Sequence, residues 1–229
     1  MHTFAADAFH ADPASTRIPA LRCRPDDAAL AEAARLLAHA QRPLMLCGGG
    51  VHLSGAADAV QRFAVALNIP VAHTMSGKGA IACTHPLSAG LFGRYSRIAN
   101  DLIAAADCLF VVGCKLGEIA TRRYDLIPVS VPLIHLDILP EEFDRTTAPT
   151  VRLWGDIGAT LPALHEVMRT QAAQPDRRSY AAEVAQRMQA WRASVTERLE
   201  SDEVPVSMAR LMHEINTWLP PDGLLVADG

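Results

Sequence analysis

The chain alternates short unbroken apolar runs with longer stretches in which apolar residues recur every three or four positions. The first pattern has the length of a strand buried on both faces, and the second is the stripe of an amphipathic helix. Pro43-Leu44-Met45-Leu46-Cys47 is one such run, and Cys108-Leu109-Phe110-Val111-Val112 is the plainest. Ile69 to Ala72, Pro132 to Asp137 and Thr150 to Trp154 read the same way. Leu30, Ala33, Ala34 and Leu37 fall on one helical face, with Asp26 or Asp27 ahead of them as a cap. Ala57, Val60, Ala64 and Leu67 make a second stripe that Asn68 ends. Ile98, Leu102, Ile103 and Ala106 make a third, and Leu161, Leu164, Val167 and Met168 a fourth. Residues 81–96 show no period and read as irregular. Strands alternating with helices over 26–170 predict an α/β fold with parallel pairing and right-handed crossovers.

The strand ends carry the candidate chemistry. The first run stops at Gly48-Gly49-Gly50, with a helical pattern from Ser54 onward. Strand, glycine turn and helix in that order can present backbone N–H groups to a phosphate. Leu53 stands where the dinucleotide fingerprint has its third glycine, so a plain tight turn is the competing reading. The loop His73-Thr74-Met75-Ser76-Gly77-Lys78-Gly79-Ala80 follows the second strand. It is not a Walker A loop, because Gly79 takes the place of the magnesium-binding Ser or Thr, and Lys78 reads as a solvated charge. Gly113 ends the 108–112 strand, a second junction of the same kind. Asp137 closes the next strand, where it either accepts from ribose hydroxyls or caps Leu139-Pro140-Glu141-Glu142.

After residue 170 the pattern breaks at Gln171–Ser179. The expected organisation is an arm over 1–24, a central domain over 25–172, a linker with a charged helix over 173–203, and a new unit over 204–229. In that last unit Met208, Leu211, Met212, Ile215 and Trp218 form an amphipathic helix, and Leu224-Leu225-Val226-Ala227 enters a strand. One helix and one strand cannot bury their own apolar faces, so the segment reads as the first edge of a further domain.

Composition narrows the function classes. The 229 residues are half hydrophobic and one fifth charged, with a formal net charge of -4, so a basic footprint for nucleic acid is missing. Aromatic residues are only 5%, too few for stacking platforms. The longest apolar runs are far below membrane-spanning length, and Met1 to Asp7 does not have the form of a signal peptide. The five cysteines, Cys23, Cys47, Cys83, Cys108 and Cys114, form no C-x-x-C pair. Cys47, Cys108 and Cys114, in apolar strand-like surroundings, read as small buried hydrophobes in a reducing cytosol, hence a cytoplasmic protein.

Taken in order, these motifs resemble a known family. Arg42 to Val51 looks like the opening of the central domain of thiamine-diphosphate-dependent enzymes of the acetolactate synthase-like group. Four later segments agree in order and spacing. They are Ile69-Pro70-Val71 leading to Gly77-Lys78-Gly79, His85-Pro86-Leu87 with Gly90, Ala106-Asp107 leading to Gly113, and Ile134 to Ile138. Gly155-Asp156-Ile157 closes the domain as in that family. The resemblance implies a Rossmann-like three-layer sandwich with a mainly parallel sheet of about six strands, followed by C-terminal helices. It implies a parent 2-keto acid carboligase or decarboxylase whose flanking domains hold thiamine diphosphate and Mg2+ and assemble it as a homo-oligomer. This chain would be a fragment of it, inactive alone.

The resemblance also implies a nucleotide site for FAD, with no redox part in the main reaction, or for ADP. Its positions here are Gly48, Gly49, Gly50, Thr74, Met75, Gly113, Cys114, Lys115, Asp137, Ile138, Gly155, Asp156 and Ile157. The sequence departs from the pattern at Lys115, where flavin-binding members carry Arg, at Gly117 in place of an acid, and at Gly93-Arg94-Tyr95-Ser96. Arg94, Arg97, Arg122 or Arg123 would then contact phosphate, or are surface charge. The competing function is a stand-alone nucleotide-binding module, regulatory or in electron transfer. An NAD-dependent deacylase would share the fold type, but its paired C-x-x-C zinc motif is missing here.

Overall fold

The computed structural model describes residues 12–13, 22–170, 174–220 and 222–226. Contacts divide the chain into two units, the first ending at Met188 and the second beginning at Gln189.

The first unit is built on a six-stranded sheet, parallel at every pairing. Its strands are β1 (Pro43–Cys47), β2 (Val71–His73), β3 (Ser88–Leu91), β4 (Cys108–Val112), β5 (Leu133–Asp137) and β6 (Val151–Trp154), in the order β3-β2-β1-β4-β5-β6. The helices are α1 (Asp27–His39), α2 (Gly50–Leu53), α3 (Ala57–Leu67), α4 (Ala99–Ala104), α5 (Ile157–Thr170) and, as far as Met188, the first half of α6 (Arg178–Leu199), whose Tyr180, Val184 and Met188 are buried. This is the α/β Rossmann-like arrangement that the alternating pattern predicts.

The helix stripes expected over 26–170 pack against the sheet, whereas the stripe of Met208, Leu211, Met212, Ile215 and Trp218 has no buried residue. Asp26 caps α1 by accepting the Ala29 N–H at 2.8 Å, and Leu30, Ala33, Ala34 and Leu37 are fully buried. Asn68 ends α3 in the left-handed conformation with φ of 50°. Both faces of the central strands are covered, since Leu44, Met45 and Leu46 are all fully buried. Met45, Cys47, Phe110 and Val112 point into the core shared with α1, α3 and α5, and Phe63 meets Phe110 edge-on with ring centroids 5.8 Å apart.

Arg177 ties two helix ends together. Its buried guanidinium donates to the carbonyls of Ala40 at 3.0 Å and Leu67 at 3.1 Å, and to that of Leu37. A cation at two helix C-termini answers carbonyls left without intrahelical partners.

The structure corrects the sequence reading at residues 81–96, which contain β3. Ser88-Ala89-Gly90-Leu91 is small, has no alternating pattern, and holds Gly90 at φ of 75°. It is a strand because it pairs with β2, with a register shift between Val71 and Ala72.

The second unit contains α7 (Met208–Trp218) as expected, capped by Ser207, which accepts the Arg210 N–H at 3.2 Å. Arg210 in turn pairs with Asp202 at 2.9 Å and Glu214 at 2.6 Å. Leu224 to Val226, expected to enter a strand, form none among the described residues, and Leu224 is 87% exposed. Ala227, Asp228 and Gly229 lie outside the described residues, as does nearly all of the arm before Arg22.

Candidate functional site

The strand order reverses between β1 and β4, so the chain leaves these neighbours toward opposite sides of the sheet. Open parallel sheets bind ligands in the crevice this creates at the C-terminal strand ends. Here a cleft of about 980 Å³ opens over that edge. Its walls are the segments leaving β1, β2, β3 and β4.

The glycines draw the β1 and β4 exits together. Gly48 donates to the Val112 carbonyl and Gly50 to the Gly113 carbonyl, each at 3.0 Å. A Cβ on Gly48 would stand 2.2 Å from the Gly113 oxygen and 2.5 Å from Cys114 Cα, so only glycine fits. Gly113 itself holds φ of 54°. The tight-turn reading therefore accounts for Gly48 and Gly50 directly, because their N–H groups are committed to the neighbouring strand exit. The β2 exit is fixed by Thr74, whose N–H donates to the Cys47 carbonyl at 3.0 Å and whose hydroxyl accepts from Gly77 N–H at 3.1 Å.

The β3 and β4 exits meet across the cleft. Arg94 N–H donates to the Ile119 carbonyl at 3.0 Å. Asn100 on α4 holds the same turn by accepting from Gly93 N–H at 2.8 Å and donating to Gly93 O at 2.9 Å. The lining is largely apolar, with Met75 66% and Ile119 60% exposed at the wall. Its charged side chains are Arg94, Lys115 and Glu118.

Of the residues expected at a nucleotide site, Gly48, Gly49, Gly50, Thr74, Met75, Gly113, Cys114 and Lys115 line this cleft. Asp137, Ile138, Gly155, Asp156 and Ile157 do not. Asp137 is buried, and its Oδ1 accepts the Leu139 N–H at 3.0 Å, which is the capping role. Burial raises its carboxyl above the ordinary range. The Ile138 carbonyl accepts from Trp154 Nε1 at 3.0 Å.

Gly155 to Gly158 receives the segment Arg22–Pro25. Asp156 accepts from Arg22 Nη1 at 2.5 Å and from the Ser54 hydroxyl at 2.7 Å, and also takes the Ala159 N–H at 3.0 Å at the start of α5. Its own N–H donates to the Cys23 carbonyl at 2.9 Å. A Cβ on Gly158 would fall 2.2 Å from Arg22 Nη1.

Sequence reasoning missed Leu91, Phe92 and Tyr95 as wall residues, because β3 was unseen and so its exit was not read as a strand end. Arg94, named as a candidate phosphate contact, does line the cleft, whereas Arg97, Arg122 and Arg123 do not. Cys47, Cys108 and Cys114 are buried as expected, whereas Cys23 is exposed and Cys83 half-buried. Burial pushes the Cys108 and Cys114 thiols up to about 12 and raises that of Cys47 as well. Among the described residues, no group of three His, Cys, Asp or Glu side chains comes together to hold a metal ion. No helix there is long and apolar enough to cross a membrane.

Comparison with known proteins agrees with this architecture. Residues 30–164 match the family model described as thiamine pyrophosphate enzyme, central domain. The chain is 27% identical over 189 residues to a probable acetolactate synthase large subunit of Methanococcus aeolicus, covering 80% of this chain and 32% of that one. It is 32% identical over 136 residues to the acetolactate synthase isozyme 2 large subunit of Escherichia coli K12, covering 59% and 25%. It is 30% identical over 190 residues to the glyoxylate carboligase of Escherichia coli O157:H7, covering 81% and 31%. The chain thus spans about a third or less of the length of these curated relatives. With a six-stranded parallel sheet that the family match spans, the chain belongs to the thiamine pyrophosphate-dependent, acetolactate synthase-like enzymes, its residues 30–164 matching their central domain.

Proposed function

We propose that this chain is the scaffolding central domain of a larger 2-keto acid carboligase or decarboxylase, and that its cleft holds a nucleotide, FAD or ADP, with no catalytic role of its own. Thiamine diphosphate, held with Mg2+ by flanking domains, supplies the electron sink that lets a 2-keto acid lose carbon dioxide. This chain's part is to bind and to orient. The observation that carries the reading is the cleft at the strand-order reversal, roomy and mostly apolar, with a few polar groups converging on it. Met75, Tyr95 and Ile119 would flank a flat ring. Thr74, Ser76 and the backbone at Gly49 would meet its polar edges, and Arg94 and Lys115 its phosphates.

Thermal unfolding of the chain with FAD, ADP, NAD and CoA in turn tests the site. Stabilisation by FAD or ADP that saturates with concentration supports it, and no shift with any of the four leaves a bare scaffold. Turnover of pyruvate by the chain with thiamine diphosphate and Mg2+ would overturn the non-catalytic role.

A further inference from the structure

Lys115 stands on the cleft wall, yet its charge is held from outside the cleft. Its Nζ lies 3.2 Å from Oε1 of Glu142, in the 3₁₀ turn Pro140–Glu142 that follows β5. The two partners are unequal, because the Lys115 side chain is 65% exposed and that of Glu142 only 4%. Arg145 Nη1 donates to the same carboxylate at 2.9 and 3.2 Å. Burial works against a charge on Glu142, but the hydrogen bonds from Arg145 and Lys115 outweigh it and hold the carboxyl below its ordinary range. Glu142 is therefore ionised at neutral pH and fixed by packing, while the long, exposed lysine stem goes where that carboxylate draws it. Of the charged lining residues, Arg94 and Lys115 are positive and Glu118 is negative. Lys115 and Arg145 share the one Glu142 carboxylate, which cancels one of their two positive charges and so lowers what this wall of the cleft offers an anion.

We propose that Glu142 is a specificity-determining residue acting through Lys115: by holding that ammonium it lowers the positive charge offered to the cleft and favours ligands with few negative charges, such as a pyrophosphate esterified at both ends, over those with a free terminal phosphate. The inference rests on the nucleotide reading above. Glu142 reaches no ligand itself, so its effect scales with ligand charge and passes through Lys115.

The test is a charge series of adenosine, FAD, ADP and ATP, titrated by calorimetry against the parent chain, Glu142→Gln, Lys115→Met and the double variant. Glu142→Gln tightens ADP about three- to tenfold and ATP more, and leaves adenosine unchanged. In the Lys115→Met background the gain falls below about twofold. Glu142→Asp keeps the charge but shortens its reach, gives an intermediate gain, and replaces the Gln variant if that one does not fold. An equal gain for adenosine, a gain undiminished without Lys115, or no gain at all overturns the proposal.

Amine acylation followed by mass spectrometry separates this failure from failure of the nucleotide reading. Lys78 is the only other lysine in the chain and serves as the internal standard. Faster labelling of Lys115 in Glu142→Gln, with no nucleotide bound by any variant, overturns the nucleotide reading and ligand selection with it, but keeps the pairing. Unchanged labelling overturns the pairing itself.

Discussion

Gly50 donates its backbone N–H to the carbonyl oxygen of Gly113 across 3.0 Å, and so stitches the exit of β1 to the exit of β4. The contact forms where the strand order reverses, and it sets the floor of the cleft. A run of three glycines that could have served as an amide cradle instead lets two strand ends approach until no side chain fits between them.

Gly48→Ala is therefore expected to destabilise the chain by about 1–3 kcal/mol or more, because the new Cβ meets backbone atoms that cannot swing aside. Gly117→Ala in the same cleft is the control, since a Cβ there meets nothing within 4 Å. Urea unfolding of both variants checks the pair, and the control is expected within about 0.5 kcal/mol of the parent.

Arg177→Met is expected to cost about 3 kcal/mol in urea unfolding. It leaves three carbonyls at the ends of α1 and α3 without their buried donor. Arg177→Lys recovers only part of this, because one ammonium cannot copy a fork that reaches Leu37, Ala40 and Leu67 together.

These two sites mark what the sequence showed and what it hid. β1, β4 and β5 were legible because strands buried on both faces of a parallel sheet must be apolar throughout. Ser88-Ala89-Gly90-Leu91 was not, because its strand character comes from pairing with β2 and not from its own side chains. The glycine and Thr74-Met75 parts of the cleft followed from their place at strand ends. Tyr95 did not, because its strand was hidden. The role of Asp156 was hidden for a different reason. Its partner Arg22 is 134 residues away in the chain, and no local spacing encodes a contact of that kind.

Asp156→Ala should cost about 1–3 kcal/mol, since it removes the Ala159 contact at the start of α5 together with the partner of Ser54. Arg22→Ala should cost less, because the Arg22 side chain is 41% exposed and water screens its pairing. Thermal unfolding of the two variants, read side by side, checks this order.

Acidification is expected to destabilise the first unit before the carboxylates titrate. Burial lowers His135 below 6.5, and its Nε2 donates to the Cys114 carbonyl at 3.1 Å in the neutral form. The unfolded chain takes up a proton near 6.5 while the native chain resists, so this contribution to stability is flat above that pH and falls below it. His73, also lowered by burial, adds to the slope. The raised Asp137 acts with the opposite sign, nearer the carboxylate range. The melting temperature should drop by about 2–4 °C between pH 7.5 and 5.5, and by less in His135→Gln.

The most direct test of a nucleotide cleft at the strand-order reversal is an FAD titration of the chain followed by flavin fluorescence, with Ile119→Glu beside it. Ile119 is 60% exposed, so the substitution spares the core while placing a charge on the apolar wall. The account predicts a saturable signal that ADP competes away, and a loss of affinity of about tenfold or more in Ile119→Glu at unchanged melting temperature. A signal that does not saturate, or FAD binding that Ile119→Glu leaves intact, would contradict it.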